Sequence, residues 1–186
     1  MPAKPSRITP PRELATILDF VRYAASRFVE AKLAFGQGTR DAVEDAMFLV
    51  CEALHLPKEN AEAFLAARLT AAERRHVMSL IEKRVKTRTP AAYLVKRAYL
   101  RDHAFHIDER AIVPRSFLAE LLYGDLFMGE EQLVDRMAVT RVLDLCTGSG
   151  CLAVLACDVF PNAQVDAVDV SKDALEVAKI NVAQHG

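Results

Sequence analysis

Arg141-Val142-Leu143-Asp144-Leu145-Cys146-Thr147-Gly148-Ser149-Gly150 decides the fold. Branched and apolar residues at its start predict a buried strand, which runs into a glycine turn, and the helix-forming run Cys151 to Val159 follows directly. Gly148 and Gly150 let the backbone bend sharply and approach a ligand without a Cβ in the way. The free N–H groups of the next helix face the same place. A second apolar strand, Gln164 to Val168, ends in Asp169, about twenty residues after the turn, where a βαβ unit sets a carboxylate beside a ribose. Strand, glycine turn, helix and second strand together spell an α/β nucleotide cradle.

The rest of the chain is read outward from that cradle. Among its 186 residues no apolar run approaches the roughly eighteen that a membrane span needs. The opening Met-Pro-Ala-Lys-Pro-Ser-Arg has no apolar centre, so no secretory signal is expected. Cys51, Cys146, Cys151 and Cys157 show no paired metal spacing, and three lie in apolar surroundings; buried free thiols in a reducing cytoplasm are the expectation. A net charge of −1 hides an asymmetry: residues 1–101 carry 18 Lys and Arg against 11 Asp and Glu, and residues 102–186 carry 6 against 14. The two halves therefore suit different partners.

Upstream, Thr9 with Pro10 and Pro11 reads as a helix start, and Leu14, Ile17, Leu18, Val21, Ala24, Ala25 and Phe28 give one apolar face. Phe35-Gly36-Gln37-Gly38-Thr39 stops the pattern. A second helix is predicted from Asp41 to His55 with Val43, Ala46, Met47, Val50 and Leu54 inward, and a short third from Glu59 to Ala67. Thr70-Ala71-Ala72-Glu73 is a capping box opening a fourth, with Val77, Leu80, Ile81 and Val85 inside and Pro90 beyond its end. Residues 1–90 thus read as a helical domain.

Residues 91–115 read as a connector: Ala98-Tyr99-Leu100 and Ala104-Phe105-His106-Ile107 form a hairpin, and Ala111-Ile112-Val113 a further strand. Ser116 caps a helix through Leu122, Gly124 and Gly129 loosen the chain, and Glu130 to Met137 is predicted helical. After the second strand, Ser171 caps a helix from Lys172 to about Gln184. Two parallel strands make only part of a doubly wound sheet, so 116–186 is expected to be an incomplete domain.

Gly148-Ser149-Gly150-Cys151-Leu152-Ala153 with Asp169 also satisfies a dinucleotide pattern, which keeps an NAD-binding oxidoreductase fragment as an alternative. Asp144, at the strand end ahead of the turn, weighs against it: a carboxylate there suits a ligand bearing an ammonium group and a positive sulfur, and repels a pyrophosphate. Capping of local backbone amides is the other role open to Asp144.

The order apolar-apolar-Asp-x-Cys-x-Gly-x-Gly resembles the first motif of S-adenosylmethionine-dependent methyltransferases, with Cys146 in place of its first glycine. The longer string Leu143 to Cys151, Phe160-Pro161, Val165 to Ser171 and Asp173-Ala174-Leu175 is similar to the protein-(glutamine-N5) methyltransferases, of the type that modifies a large-subunit ribosomal protein. Phe35 to Thr39, Thr89 to Leu94 and His106 to Ser116 agree with that resemblance, which spans nearly the whole chain. The sister branch acting on release factors has Gly where Cys146 stands.

The resemblance implies a helical substrate-recognition domain, a β-hairpin linker and the first part of a Rossmann-like class I methyltransferase domain. It implies a cytoplasmic enzyme methylating a glutamine side chain of a large-subunit ribosomal protein, without a metal. By the same resemblance Cys146, Thr147, Gly148, Ser149 and Gly150 line the methionine part of S-adenosylmethionine, near Asp144, which is also cofactor-binding. Asp169 receives the ribose hydroxyls, and Arg115 either shapes substrate entry or is an ordinary surface arginine. The family's catalytic Asn-Pro-Pro-Tyr is not in this sequence: Asn60, Asn162 and Asn181 each precede a residue other than proline. The chain as given is therefore expected to transfer no methyl group alone. A non-catalytic ribosome-binding fragment is the further alternative.

Two other groupings are set aside. His103 and His106, three apart on a strand, point to opposite faces and make a poor metal pair. Cys151 at a helix start has the position for a lowered pKa but no base beside it. The cations from Arg68 to Arg101, Arg84 among them, read either as a solvated face or as attraction toward ribosomal RNA. No aromatic platform accompanies them for reading sequence.

Overall fold

Helix α1 (Ile17–Glu30) opens at Thr16, not at Thr9. The Thr16 hydroxyl accepts the Asp19 N–H while Asp19 accepts the N–H groups of Thr16 and Ala15, a complete capping box that the Thr-Pro-Pro signature upstream does not offer. The computed structural model describes residues 9–129 and 134–186, and these fall into two compact units divided between Val95 and Lys96.

In the first unit, α1 packs on α2 (Ala42–Ala53) and α3 (Ala71–Thr87), with a short α4 (Ala91–Val95) closing the group. Phe20, Phe28, Leu49, Val50, Val77, Met78 and Ile81 form the buried centre. Asp41 caps α2 by accepting from Val43 and Glu44, and Thr70 with Glu73 forms the capping box of α3. Several expectations are corrected here. Val43 faces outward at 61 % exposure, because α2 turns Asp45 and Glu52 inward with its apolar residues. The segment predicted as a third helix is a 3-10 turn over Lys58–Phe64. Helix α1 ends at Glu30, well before Phe35. Pro90 precedes a helix instead of merely following one: Tyr93 and Leu94 donate to its carbonyl.

Asp45 is inward because Arg84 is. The guanidinium Nε donates to Asp45 at 2.9 Å, and both side chains are 3 % exposed. Thr39 donates to the other oxygen of Asp45 at 2.7 Å, and Arg84 also donates to the carbonyls of Arg88 and Ala34. A charge taken out of water is tolerated only when paired and hydrogen-bonded in this manner. Arg84 therefore leaves the exposed cationic set to which its position assigned it. Arg88 is likewise committed, to the carbonyls of Ala31 and Lys32.

The second unit begins with the antiparallel hairpin β1 (Arg97–Leu100) and β2 (His103–His106), Arg97 paired with His106 and Leu100 with His103. Arg101, at φ 53°, turns the corner. Helices α5 (Leu118–Leu122) and α6 (Asp125–Met128) follow. Then come β3 (Arg141–Leu145), α7 (Cys151–Val159), β4 (Gln164–Val168) and α8 (Lys172–His185), with β3 and β4 parallel in the register Arg141 to Gln164 and Leu145 to Val168.

Helix α7 is apolar nearly all round because it is buried nearly all round. Cys151, Val154 and Leu155 pack with Leu100, Phe105 and Ala119 of the hairpin and α5. Ala156 and Val159 pack with Val142 and Val165, on one face of the two strands. The alternate residues Leu143, Leu145 and Val168 are exposed on the other, so the expectation that β3 is a buried strand is corrected: none of its residues is fully buried. Ala111 and Val113 are buried, but the stretch 111–113 joins no ladder among the described residues. Ser116 accepts the Leu118 N–H ahead of α5, although Phe117 holds the cap position. Gly124 and Gly129 bracket α6 where a loose segment was expected. Of the predicted helix Glu130 to Met137, residues 130–133 lie outside the described residues. Residues 134–137 are bend and turn, with Asp135 accepting the Met137 N–H. No helix among the described residues is long and apolar enough to cross a membrane.

Candidate functional site

Parallel pairing in this register brings the C-terminal tips of β3 and β4 side by side, so the residues that follow each strand meet. Thr147 donates its N–H to the Val168 carbonyl at 3.0 Å. Gly148 donates its N–H to Asp169 Oδ2 at 2.8 Å, and Ser171 donates to Asp169 Oδ1 at 2.9 Å. Those two backbone donors, Ser171 foremost, hold the Asp169 carboxyl below its ordinary value of 3.8. Each oxygen of a carboxylate has two lone pairs, so each retains acceptor capacity beyond its backbone partner. Asp144 is not a cap for backbone amides: it accepts the Thr147 hydroxyl at 2.6 Å.

Cys146, Gly148 and Gly150 all lie in the left-handed region, at φ 61°, 57° and 79°. The backbone thus demands glycine-like conformation at every second residue, and Cys146 supplies it at a cost. The two glycines serve different needs. A Cβ on Gly150 would meet the Cβ of Ala178 at 3.0 Å and its Cα at 3.1 Å, so α8 sits against the turn there. A Cβ on Gly148 would meet nothing within 4 Å, which leaves the turn open to a ligand on that side. Gly150 is the N-cap of α7 with no side chain capping it, so the helix presents its first N–H groups at the turn.

The sequence-predicted residues Asp144, Cys146, Thr147, Gly148, Ser149, Gly150 and Asp169 are gathered at one end of the β3–β4 pair. Arg115 is exposed on the segment before α5, and the hydrogen bonds that assemble the turn do not involve it. Cys151 is corrected: burial, above all, pushes its thiol up to about 12, with the nearby Asp144 charge adding to the rise. Its contact is Ser149 Oγ at 3.1 Å. Cys51 is also buried, whereas Cys146 and Cys157 are exposed, so burial of the thiols holds for two of the four. His103 and His106 each have their own carboxylate, Asp158 at 2.8 Å and Asp108 at 3.3 Å.

The residue that sequence reasoning passed over is Asn181. It lies fully buried on α8 and donates to the Ser149 carbonyl at 2.7 Å. The signal was available: Ala174, Val177, Ala178 and Asn181 form one helical stripe, and an asparagine at the buried end of an apolar stripe needs partners.

Residues 124–186 match the family described as Methyltransferase small domain. A ribosomal protein uL3 glutamine methyltransferase of Bradyrhizobium diazoefficiens is 60 % identical over 178 residues, covering 94 % of this chain and 56 % of that protein. Proteins of the same description from Bordetella pertussis and Neisseria gonorrhoeae are 53 % and 47 % identical, each over 94 % of this chain and 58 % of their own length. The chain thus spans little more than half the length of these relatives. Along 94 % of its own length, it is similar to the ribosomal protein uL3 glutamine methyltransferases.

Proposed function

We propose that Asp144, residues 146–150 and Asp169 seat S-adenosylmethionine, and that the whole enzyme methylates a glutamine side-chain nitrogen of a large-subunit ribosomal protein. The observation that carries this reading is the meeting of Gly148 and Asp169 at the strand tips, 2.8 Å apart through one hydrogen bond. On this reading residues 116–186 are the first part of a Rossmann-like class I methyltransferase domain, and the enzyme works in the cytoplasm.

Several features support the fit. The open side of Gly148 leaves room for a ligand against the backbone. Asp169 retains lone pairs for a ribose diol. Asp144 offers negative charge to the ammonium end of the ligand, and the uncapped start of α7 offers N–H groups to its carboxylate. A dinucleotide's pyrophosphate would face the Asp144 carboxylate at the same turn, which disfavours NAD.

When bound, S-adenosylmethionine would supply an electrophilic methyl group for the glutamine nitrogen. What the residues of this chain contribute is orientation: the turn fixes the backbone donors, and Asp169 fixes the turn. Arg115 is proposed at the substrate side, and the helical unit as the recruiter of the ribosomal protein. Arg75 and Lys83, exposed on α3, offer attraction to nearby ribosomal RNA that carries no sequence preference.

Isothermal titration calorimetry tests the cofactor assignment. S-adenosylmethionine and its demethylated product S-adenosylhomocysteine are expected to bind, and NAD is not. Binding of NAD alone would overturn the assignment. With radiolabelled cofactor and uL3, this chain is expected to leave uL3 unlabelled, since Asn-Pro-Pro-Tyr is absent from its sequence.

A further inference from the structure

The carboxamide of Asn181 is where α8, the hairpin and the glycine turn are tied together. Its Oδ1 accepts the His106 N–H at 2.7 Å, and its Nδ2 donates to the His106 carbonyl at 3.0 Å and to the Ser149 carbonyl at 2.7 Å. Toward the hairpin it behaves as one more ladder residue, exchanging a donor and an acceptor with the end of β2. Toward the turn, its second N–H holds the carbonyl that immediately precedes Gly150. Ser149 and Asn181 are both buried, so water is poorly placed to replace this bond, and a carbonyl left without a donor there is costly.

Nothing in helix packing alone asks for this residue. Leucine at 181 would continue the apolar stripe of Ala174, Val177 and Ala178 and bury more apolar surface. An amide is present where two backbones must be held in one relation. The line continues outward from His106, whose ring pairs with Asp108 at 3.3 Å; Asp108 in turn accepts from Arg110 at 2.9 and 2.7 Å. The glycine turn is thus joined through Asn181 to a segment that ends in solvent at Arg110.

We propose that Asn181 is a positioning residue for the cofactor turn, fixing the 149–150 peptide against the hairpin end at His106. The peptide so held keeps Gly150 in its left-handed conformation and the N–H groups of α7 aimed at the ligand. The inference rests on the reading of this turn as the seat of S-adenosylmethionine.

Its test compares Asn181→Ala with Val159→Ala. Val159 is equally buried but sits at the opposite end of α7 from the turn, so its truncation weakens the same unit without touching the carbonyl of Ser149. Calorimetric titration with S-adenosylmethionine is done at a temperature where circular dichroism shows both variants folded. V159A is expected to bind within about twofold of the unaltered chain, and N181A at least tenfold more weakly, about 1.4 kcal/mol. Equal affinity of N181A and the unaltered chain overturns the proposal. Asn181→Leu, which keeps the branching at Cγ but has no hydrogen-bonding atoms, makes the same comparison if N181A does not fold.

Should the unaltered chain bind no S-adenosylmethionine, the cofactor reading fails, and amide hydrogen exchange decides the positioning role separately. N181A is then expected to lose protection at His106 and Gly150 well beyond the rest of its unit, a pattern V159A does not give. A uniform loss would overturn it.

Discussion

The Gly148 N–H donates to the Asp169 carboxylate at 2.8 Å, across the tips of two parallel strands. One side chain thereby sets the shape of a turn that belongs to the other strand, and its second oxygen holds the entrance to α8 through Ser171. Asp169→Asn keeps the size but points an NH₂ group at one of these two backbone donors. The variant is expected to bind S-adenosylmethionine at least tenfold more weakly by calorimetry, a loss of about 1.4 kcal/mol in binding. Asp169 is held below its ordinary value of 3.8 in the folded protein. The bonds it makes are therefore complete above that ordinary value and fail only as pH falls through the lower folded one. Affinity that depends on Asp169 should be level from pH 8 down to about pH 5.

The alternation of left-handed residues at 146, 148 and 150 separates three substitutions that look alike in sequence. Cys146→Gly relieves a cost of about 1–2 kcal/mol and returns part of it as chain entropy, for a net gain of about 0.5–1 kcal/mol. Gly148→Ala meets no atom and should cost only the backbone strain, about 1–2 kcal/mol. Gly150→Ala adds a collision with Ala178 and should cost clearly more than its neighbour. Urea unfolding at one pH ranks the three.

Thiol chemistry gives an independent view of the same turn. Cys146 and Cys157 are exposed, whereas Cys51 and Cys151 are buried, and burial raises both of the latter thiols, Cys151 to about 12. A thiolate-selective reagent at pH 8 should label Cys146, label Cys157 more slowly because partial burial and the Asp158 charge raise its thiol, and reach the other two only after denaturation. S-adenosylmethionine should slow labelling of Cys146 and leave Cys157 unchanged, as read by peptide mass spectrometry.

In the helical unit the ion pair between Arg84 and Asp45 is the most exacting feature. Both partners are 3 % exposed, so removing one leaves the other buried without its counter-charge. Asp45→Ala or Arg84→Ala should each cost about 3–5 kcal/mol in denaturant unfolding. The double substitution should cost less than the sum of the two.

Local chemistry was legible in the sequence and long-range pairing was not. The strand–turn–helix of 141–159, the capping box at Thr70 and the Ser171 cap depend on neighbours within a few residues, and each lies where its pattern indicates. Thr9-Pro10-Pro11 misled because Thr16 and Asp19 form the box actually used, with aspartate in the place usually held by glutamate or glutamine. The face of α2 was misjudged at Val43 because its buried side includes Asp45, whose partner Arg84 lies 39 residues away. For Asn181 the apolar stripe on α8 signals burial, but not the partner, since His106 is 75 residues distant. Hydrophobic periodicity can mark an inward polar residue but cannot name its partner when that partner comes from elsewhere in the chain.

The central claim is that the turn and the carboxylate facing it form one ligand seat. Nitrogen-15 correlation spectra of the chain titrated with S-adenosylmethionine examine that most directly. The amides of Cys146 to Gly150, Asp169 and Val170 should move first and furthest, while those of α1 to α3 stay in place. Shifts confined to other residues, or spectra that do not change at saturating cofactor, would contradict the account.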